Sequence, residues 1–164
     1  MRRSIALGAA LMLLLAVAGP AVAATGPFKA VIHEDFGKRA SARPCTPLIP
    51  DGVTCAGDGV VATVGRVTSL ADYPPGGDVT RTLTFADGST VTIVETYADA
   101  SFPGNSSNAP GAEVSYGNPE MDTFTWRIVG ATGAFAGATG SGTGTATLAG
   151  DALTFRFEGT VSVP

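Results

Sequence analysis

Arg81 and Glu95 carry opposite charges, and each falls at an apolar-face position of an alternating β pattern. Segments 79–85 and 89–97 predict a hairpin, because apolar residues recur at every second position and Asp87-Gly88 between them is a turn sequence. Functionally, the arginine could hold a carboxylate or phenolate, and the glutamate could act as a base. The favoured alternative is a structural salt bridge, or a surface pair if the strand is turned over, since structural ion pairs also perturb pKa values.

The register of this hairpin decides whether the two charges meet. A two-residue loop would mismatch the apolar faces, whereas a three-residue loop opposes Leu83 to Val91 and Arg81 to Ile93. Arg81 then lies diagonal to Glu95 on the apolar face. Removing one partner of such a buried pair costs about 3–5 kcal/mol, because the other charge is left unpaired.

Glu34 is a second candidate for chemistry in the interior. Residues 28–35 predict the first strand, and strict alternation puts Glu34 on the face of Phe28 and Ile32. Desolvation there would raise the pKa of the carboxyl group and let it bind or polarise a ligand. Because strand ends are the least certain part of a pattern, we favour the alternative that Glu34 is a solvated rim residue.

Aromatic residues are predicted to line the interior. Phe124 and Trp126 alternate along one face and are interpreted as core or lumen wall, while Tyr97 and Tyr116 suit a barrel mouth, where one end of the ring is wet. The last hairpin, about a two-residue turn, opposes Gly144 to Phe157 and Ala146 to Phe155. Small residues opposite rings leave room for aromatic side chains inside a tapering barrel.

Few other residues could support chemistry. The one histidine, His33, lies on the opposite face from Glu34, has no plausible partner for a catalytic triad and cannot complete a usual metal site. The glycine-rich turn 130–140 lacks the following helix and the Gly-Lys-Ser/Thr ending of a phosphate loop. We therefore expect no metal and no cofactor.

The N-terminal residues predict export. Arg2 and Arg3 precede an uncharged apolar run, residues 5–19, that ends at Ala21-Val22-Ala23, which is the pattern of a secretory signal peptide over residues 1–23. General export is favoured over the twin-arginine alternative. We expect a secreted single domain over residues 24–164, without a membrane span.

Composition bounds the fold and the partners. The chain has 14 acidic and 10 basic residues, and two of the basic ones lie in the predicted leader, so nucleic acid is not an expected partner. Cys45 and Cys55 predict a disulfide in an exported chain, which would stabilise by about 2–4 kcal/mol. Abundant Gly, Thr and Val without a helical period predict an all-β fold.

The remaining segments complete seven or eight antiparallel strands. Residues 60–70 are predicted as one strand bent at Gly65, residues 36–57 as a stapled loop, and residues 98–122 as a long connection with a short strand near 113–116. That number of strands can close a small barrel, although a two-sheet sandwich fits the alternation almost as well.

The segment G-A-T-G-A-F-A-G-A-T-G, residues 130–140, resembles the glycine turn of the allene oxide cyclase and dirigent-like barrel superfamily. Weaker matches follow in the family's order at His33-Glu34-Asp35, Gly65–Ser69 and Gly88–Val91. The resemblance, to a bacterial-type secreted member, implies a closed antiparallel eight-stranded β-barrel with a largely apolar lumen, often assembled as a homotrimer.

The resemblance carries over only part of the family's chemistry. Glu34 could stand where allene oxide cyclases carry a glutamate on the first strand. Dirigent proteins that steer phenoxy-radical coupling carry an aspartate at the position of Gly133 and an arginine at that of Thr139. Both charges are missing here, so that coupling is not expected.

The leading hypothesis is that the lumen captures a small hydrophobic molecule and could guide its cyclisation or isomerisation without a cofactor. Whether the protein is an enzyme stays open. The catalytic candidates are Glu95, Arg81 and Glu34, and the ligand-binding candidates are Trp126, Phe124, Tyr97 and Phe155. The rival hypothesis is a non-catalytic extracellular module whose barrel is packed solid.

Overall fold

The computed structural model describes residues 24–35, 46–48, 52–74, 77–97, 120–149 and 152–164. Nine strands lie in these ranges, and a 3₁₀ turn, Gly133–Phe135, connects two of them. The strands are β1 Ala24–Asp35, β2 Thr46–Leu48, β3 Gly52–Val61, β4 Gly65–Tyr73, β5 Val79–Phe85, β6 Thr90–Tyr97, β7 Glu120–Ala131, β8 Thr139–Ala149 and β9 Ala152–Val163.

Eight of these strands close into an antiparallel barrel. Each strand pairs with its neighbour in the order β1-β9-β8-β7-β6-β5-β4-β3, and a second pairing between β1 and β3 joins the two edges. The short strand β2 pairs with the N-terminal residues of β3. The predicted eight-stranded barrel is confirmed, and the sandwich alternative is wrong, because β1 is hydrogen-bonded on both sides.

The prediction of one bent strand over residues 60–70 is wrong. β3 ends at Val61 and β4 begins at Gly65, and the turn between them contains Thr63 at a positive φ of 69°. Both flanking segments are apolar enough to pass for one continuous strand. The turn residues, Ala62, Thr63 and Val64, carry no proline or glycine signal.

The prediction that residues 36–57 form only a loop is also wrong, because β2 and the first part of β3 lie in this segment. Residues 52–57 belong to β3, the strand that closes the barrel against β1. A Cβ atom at Gly57 or Gly59 would overlap with the carbonyl oxygens of His33 and Val31, respectively. The glycines that suggested a loop are therefore required by a close approach of two backbones.

Both predicted hairpin registers are confirmed. The three-residue loop opposes Leu83 to Val91 and Arg81 to Ile93. The last hairpin opposes Gly144 to Phe157, and likewise Ala146 to Phe155. Along β5 every second residue, from Val79 to Phe85, is buried, so the register fixes which side chains enter the barrel.

The rings that fill the glycine positions come from β7. A Cβ atom at Gly144 would overlap with the ring of Phe124, and one at Gly142 or Gly159 would lie too close to the indole of Trp126. The indole Nε1–H donates to the carbonyl oxygens of Thr143 and Glu158, at 3.1 and 3.2 Å. We call these five residues, Phe124, Trp126, Gly142, Gly144 and Gly159, the aromatic wall.

Several predictions fall on residues outside the described ranges. These are the leader 1–23, the short strand near 113–116, Tyr116 and Cys45. Cys55 is fully buried on β3 and is not a free thiol, but because Cys45 is not described, the Cys45–Cys55 disulfide stays a prediction. Within the described ranges, no helical segment has the length and hydropathy that a membrane crossing requires.

Candidate functional site

Four strands bring a set of polar side chains together inside one end of the barrel. Glu34 lies near the end of β1, Tyr73 ends β4, Arg81 lies near the start of β5, and Glu95 lies near the end of β6. Antiparallel pairing puts these positions at the same end, which we call the polar end. The polar cluster consists of these side chains together with two neighbours on the same strands: Glu34, Ser69, Tyr73, Arg81, Glu95 and Tyr97.

The cluster is enclosed to an unusual degree for ionisable groups. Arg81 and Glu95 are 0% exposed and Glu34 is 2% exposed. The rim expectation for Glu34 is wrong, because β1 stays paired beyond it, with Leu153 opposite on one side and Gly57 on the other. The interpretation of Arg81 and Glu95 as a surface pair is also wrong, because both lie at buried positions of the alternating pattern on β5 and β6.

Arg81 uses all five of its N–H donors within the protein. Its Nε donates to Glu95 Oε1 at 2.5 Å, and one terminal nitrogen donates to Glu34 Oε1 and to Ser69 Oγ, the latter at 2.9 Å. The other terminal nitrogen donates to the Tyr73 hydroxyl at 3.1 Å and, at a weak 3.5 Å, to Glu95 Oε2. A guanidinium has no further donor.

Each carboxylate also accepts a hydrogen bond from a tyrosine. The Tyr73 hydroxyl donates to Glu34 Oε2 at 2.5 Å, and the Tyr97 hydroxyl donates to Glu95 Oε2 at 2.8 Å. Two carboxyl groups thus share one guanidinium and are held in place by two phenols. Tyr97 is partly buried, as expected for a ring near a barrel mouth.

Aromatic rings complete the surroundings of Arg81. Its guanidinium carbon lies 4.0 Å from the ring centroid of Phe155 and 5.9 Å from that of Phe157, within cation–π range. The ring centroid of Phe124 lies 5.1 Å from that of Tyr97 and 6.5 Å from that of Phe155. Of the predicted ligand-binding residues, Tyr97 therefore belongs to the cluster, and Phe124 and Phe155 adjoin it.

Burial and neighbouring charges shift the pKa values of the cluster. Burial raises the pKa of Glu34, and the opposing attraction of Arg81 and the hydrogen bond from Tyr73 do not cancel that effect. Burial alone would lower the pKa of Arg81, but Glu34 and Glu95 outweigh it and raise it well above its usual range. Burial, together with the neighbouring carboxylates, also raises the pKa of Tyr73 and Tyr97, so both phenols stay neutral hydrogen-bond donors.

The other predicted residues lie beside the cluster or outside it. Trp126 is the register partner of Glu95, and its ring packs 5.0 Å from that of Phe28, so it is a wall residue as predicted. His33 is exposed, with its Nδ1 3.1 Å from the Thr154 hydroxyl. The described residues contain no group of His, Cys, Asp and Glu side chains placed to hold a metal ion.

Sequence reasoning missed Tyr73 and Ser69. The sequence D-Y-P-P-G-G, which begins at Asp72, reads as a turn, but β4 continues through Tyr73. The signal was available in the sequence, because Val67, Ala71 and Tyr73 fall on one face of an alternating pattern. The structure buries these three residues together with Ser69.

Two cavities lie away from the cluster. The barrel end opposite the polar end has an apolar cavity of about 220 Å³, lined among others by Phe28, Phe85, Val91 and Phe135. A groove of about 610 Å³ on the outer surface runs past His33 and includes Asp58 and Arg66. None of the predicted catalytic or ligand-binding residues lines either of these cavities.

The glycine turn leaves no room for the charge found in coupling dirigent proteins. Gly133 has a positive φ of 61°, and a Cβ atom there would overlap with the Ser89 hydroxyl. That hydroxyl donates to Asp87 at 2.8 Å and accepts the backbone N–H of Ala134 at 2.9 Å. The position of Gly133 is therefore part of a packed turn.

A closed antiparallel barrel with this order of strands has the dirigent-like fold. Among solved structures, the chain is similar to that of a pterocarpan synthase dirigent protein, with a TM-score of 0.53 and 16% identity over 94% of this chain and 97% of that one. At this identity the similarity shows the fold alone. No family model matches the chain, and no curated protein matches its sequence.

Proposed function

We propose that the protein binds a small hydrophobic molecule inside the polar end of the barrel and guides its cyclisation or isomerisation. The observation that carries the proposal is the polar cluster, in which two buried carboxyl groups surround one guanidinium inside an otherwise apolar barrel. Replacing a buried ion network by well-packed apolar residues is often neutral or stabilising, so stability alone does not account for the cluster.

The arrangement supports a guiding role through position and proton transfer. The rings of Phe124, Tyr97 and Phe155 form an apolar lining next to the carboxyl groups. In its protonated form, Glu34 can donate a hydrogen bond to a ligand oxygen. It can also give up its proton in one step of an isomerisation and take a proton back in a later step. Such a site needs no cofactor, because its rate effect comes from orientation and from one acid or base.

The comparison with the solved dirigent protein supports a guiding role in general terms. Coupling of phenoxy radicals is not part of the proposal, because Gly133 and Thr139 stand where that chemistry needs charges. The allene oxide cyclase part of the resemblance rests on Glu34, which lies buried in the lumen.

The rival function, a non-catalytic extracellular module with a filled barrel, has its own supporting observation. All five donors of Arg81 are bonded within the protein, and its side chain is fully enclosed. The aromatic wall also fills its glycine gaps with the rings of Phe124 and Trp126. In this function the polar cluster fixes the pairing of the strands and does nothing more.

Screening of the exported chain by native mass spectrometry and by thermal shift distinguishes the two functions. The screen covers lipid oxides, polyenes and phenolics. Binding to the folded state raises the unfolding temperature, and a ligand at about 100 times its Kd stabilises by about 2.7 kcal/mol. A ligand that stays bound in the mass spectrum and also raises the unfolding temperature supports lumen binding. A screen without any binder supports the non-catalytic module with a filled barrel.

We also propose that the chain is secreted, with cleavage after Ala23, a Cys45–Cys55 disulfide and a homotrimeric assembly. The leader pattern and the two cysteines support the first two points, and the family resemblance supports the third. N-terminal sequencing of the exported chain should start at Ala24. Its native mass, before and after reduction and alkylation, should report three copies and no free thiol.

A further inference from the structure

We infer that the lumen site takes a hydrophobic molecule whose polar group donates hydrogen bonds and carries no negative charge, such as an alcohol, a neutral phenol or an amine. Asp122, near the start of β7, is the residue that accepts this donor. The inference rests on the proposed function and adds the chemical class of the ligand.

Arg81 cannot receive an anionic ligand without losing a partner. Its five N–H donors are committed to Glu34, Glu95, Ser69 and Tyr73. A ligand carboxylate would have to displace Glu34 or Glu95, which would leave that carboxyl group buried without its cation. The hypothesis that Arg81 holds a carboxylate or phenolate is therefore not supported by its geometry.

Asp122 has a carboxylate oxygen that can accept a ligand's hydrogen bond, whereas the carboxyl oxygens of Arg81's partners are already bonded. Its Oδ1 accepts the backbone N–H of Thr123 at 2.6 Å, whereas its Oδ2 is shielded from solvent and has no hydrogen-bond partner in the described part of the chain. A shielded acceptor without a donor costs free energy until a donor arrives. A ligand hydroxyl or ammonium group can supply that donor.

The register places Asp122 on the ligand side of β7. By alternation it shares a face with Phe124, which is buried, while Thr123 between them is exposed. Asp122 opposes Ala146 on β8, and Ala146 opposes Phe155 on β9, the ring that stacks on Arg81. An aromatic ligand bonded to Asp122 would thus lie against the rings that adjoin the polar cluster.

The charge balance of the lumen points the same way. Among the described residues, Arg81 is the only buried basic residue, whereas Glu34 and Glu95 are both buried acidic residues. Asp122 adds a third carboxyl group on the same inner surface. In a low-dielectric interior a further anion is repelled, while a neutral or cationic donor is not.

The test compares three probes with the same naphthalene body: naphthalenemethanol, naphthalenemethylamine and naphthoate. Binding to the full exported chain is measured by titration calorimetry at neutral pH. We expect the alcohol and the amine to bind at least about tenfold tighter than the carboxylate, as befits one hydrogen bond to a charged acceptor. Asp122→Asn should weaken the alcohol and the amine and leave naphthoate unweakened.

Asp58→Asn is the matched control, because it removes the same charge from an exposed position on the outside of the barrel. It should leave the order of the three probes unchanged. The inference is overturned if naphthoate binds as tightly as the alcohol, or if Asp122→Asn keeps the parent's preference. If naphthoate or another carboxylate binds as tightly as the alcohol, only the ligand class is wrong. If neither these probes nor the broader screen yields a binder, the proposed function fails as well.

Discussion

The polar cluster and the aromatic wall lie side by side in one barrel and are held together by different physics. In the wall, glycines let the rings of Phe124 and Trp126 come close to the backbone of β8 and β9, so stability depends on shape. In the cluster, Arg81 and two carboxyl groups depend on one another's charge. Close packing of the first kind is sufficient to build a barrel. Burying charges, as the cluster does, has a large desolvation cost, and we therefore explain the cluster by function.

Arg81→Met should produce the largest effect, a loss of about 3–5 kcal/mol in the free energy of unfolding. The change leaves Glu34 and Glu95 buried without their shared cation. Urea denaturation followed by tryptophan fluorescence measures the loss. A loss below about 1 kcal/mol, the range of exposed ion pairs, would contradict a charge-dependent cluster.

Second changes in the Arg81→Met background sharpen the same comparison. Adding Glu95→Gln alone should restore only part of the stability, because Glu34 still lacks a cation. Adding Glu34→Gln as well should restore most of it, since no unpaired charge is left. Full repair by Glu95→Gln alone would mean that Glu34 is not a member of the ion network.

Gly144→Ala should have the next largest effect, a loss of roughly 1–3 kcal/mol, because the added methyl group overlaps with the ring of Phe124. Gly130→Ala is the matched control. A Cβ atom there has Thr92 Cβ as its nearest neighbour at 3.7 Å, an ordinary contact. Equal unfolding midpoints for the two variants would show that the wall does not depend on close fit.

Stability should depend on pH through Glu34 with a definite sign. Because the pKa of Glu34 is raised above its usual 4.5 in the folded state, the folded protein holds a proton that the unfolded chain has released. The stabilisation from this group is complete below pH 4.5 and is lost as the pH rises through the folded-state pKa. Glu34→Gln lacks this contribution to the pH dependence.

The free energies of unfolding of the parent and of Glu34→Gln, measured by urea denaturation at a series of pH values, check that sign. The variant should gain on the parent as the pH rises above 4.5. A parent that gains on the variant over this range would mean that the Arg81 attraction dominates and that the carboxyl group is ionised.

Lys29→Met should have the smallest effect, less than about 1 kcal/mol. Lys29 and Glu158 form an ion pair at 3.6 Å on the outside of the barrel, with side chains 65% and 71% exposed. Its effect should also shrink further in salt, because exposed pairs are screened. A cost like that of Arg81→Met would remove the contrast between inner and outer charges.

Much of the barrel could be predicted from local patterns. Period-two alternation and the turn at Asp87-Gly88 fixed the register that brings Arg81 to Glu95, and both follow from neighbours in sequence. The long-range pairings could not be predicted in this way. Glu34 is buried because β3 closes against β1, and the glycines that permit this contact, Gly57 and Gly59, look like loop residues in the sequence.

The site was predictable only in part for the same reason. The Arg81–Glu95 pair lies within one hairpin, whereas Glu34 and Asp122 join the site through strands that are distant in sequence. Tyr73 is the last residue in the alternating buried pattern of β4. The proline-rich turn sequence that follows it led us to assign Tyr73 to the turn. That Asp122 Oδ2 lacks a hydrogen-bond partner depends on how the side chains pack, and this cannot be predicted from the pattern of residue types.

The most direct test of the central claim is a thermal-shift measurement on the variant that carries Arg81→Met, Glu34→Gln and Glu95→Gln together. The ligand is whichever compound stabilises the parent most in the screen. If the polar cluster is a binding site, the variant unfolds at a temperature close to that of the parent but loses the ligand-induced shift. A variant that keeps the full shift would show that the ligand binds elsewhere and would contradict the claim.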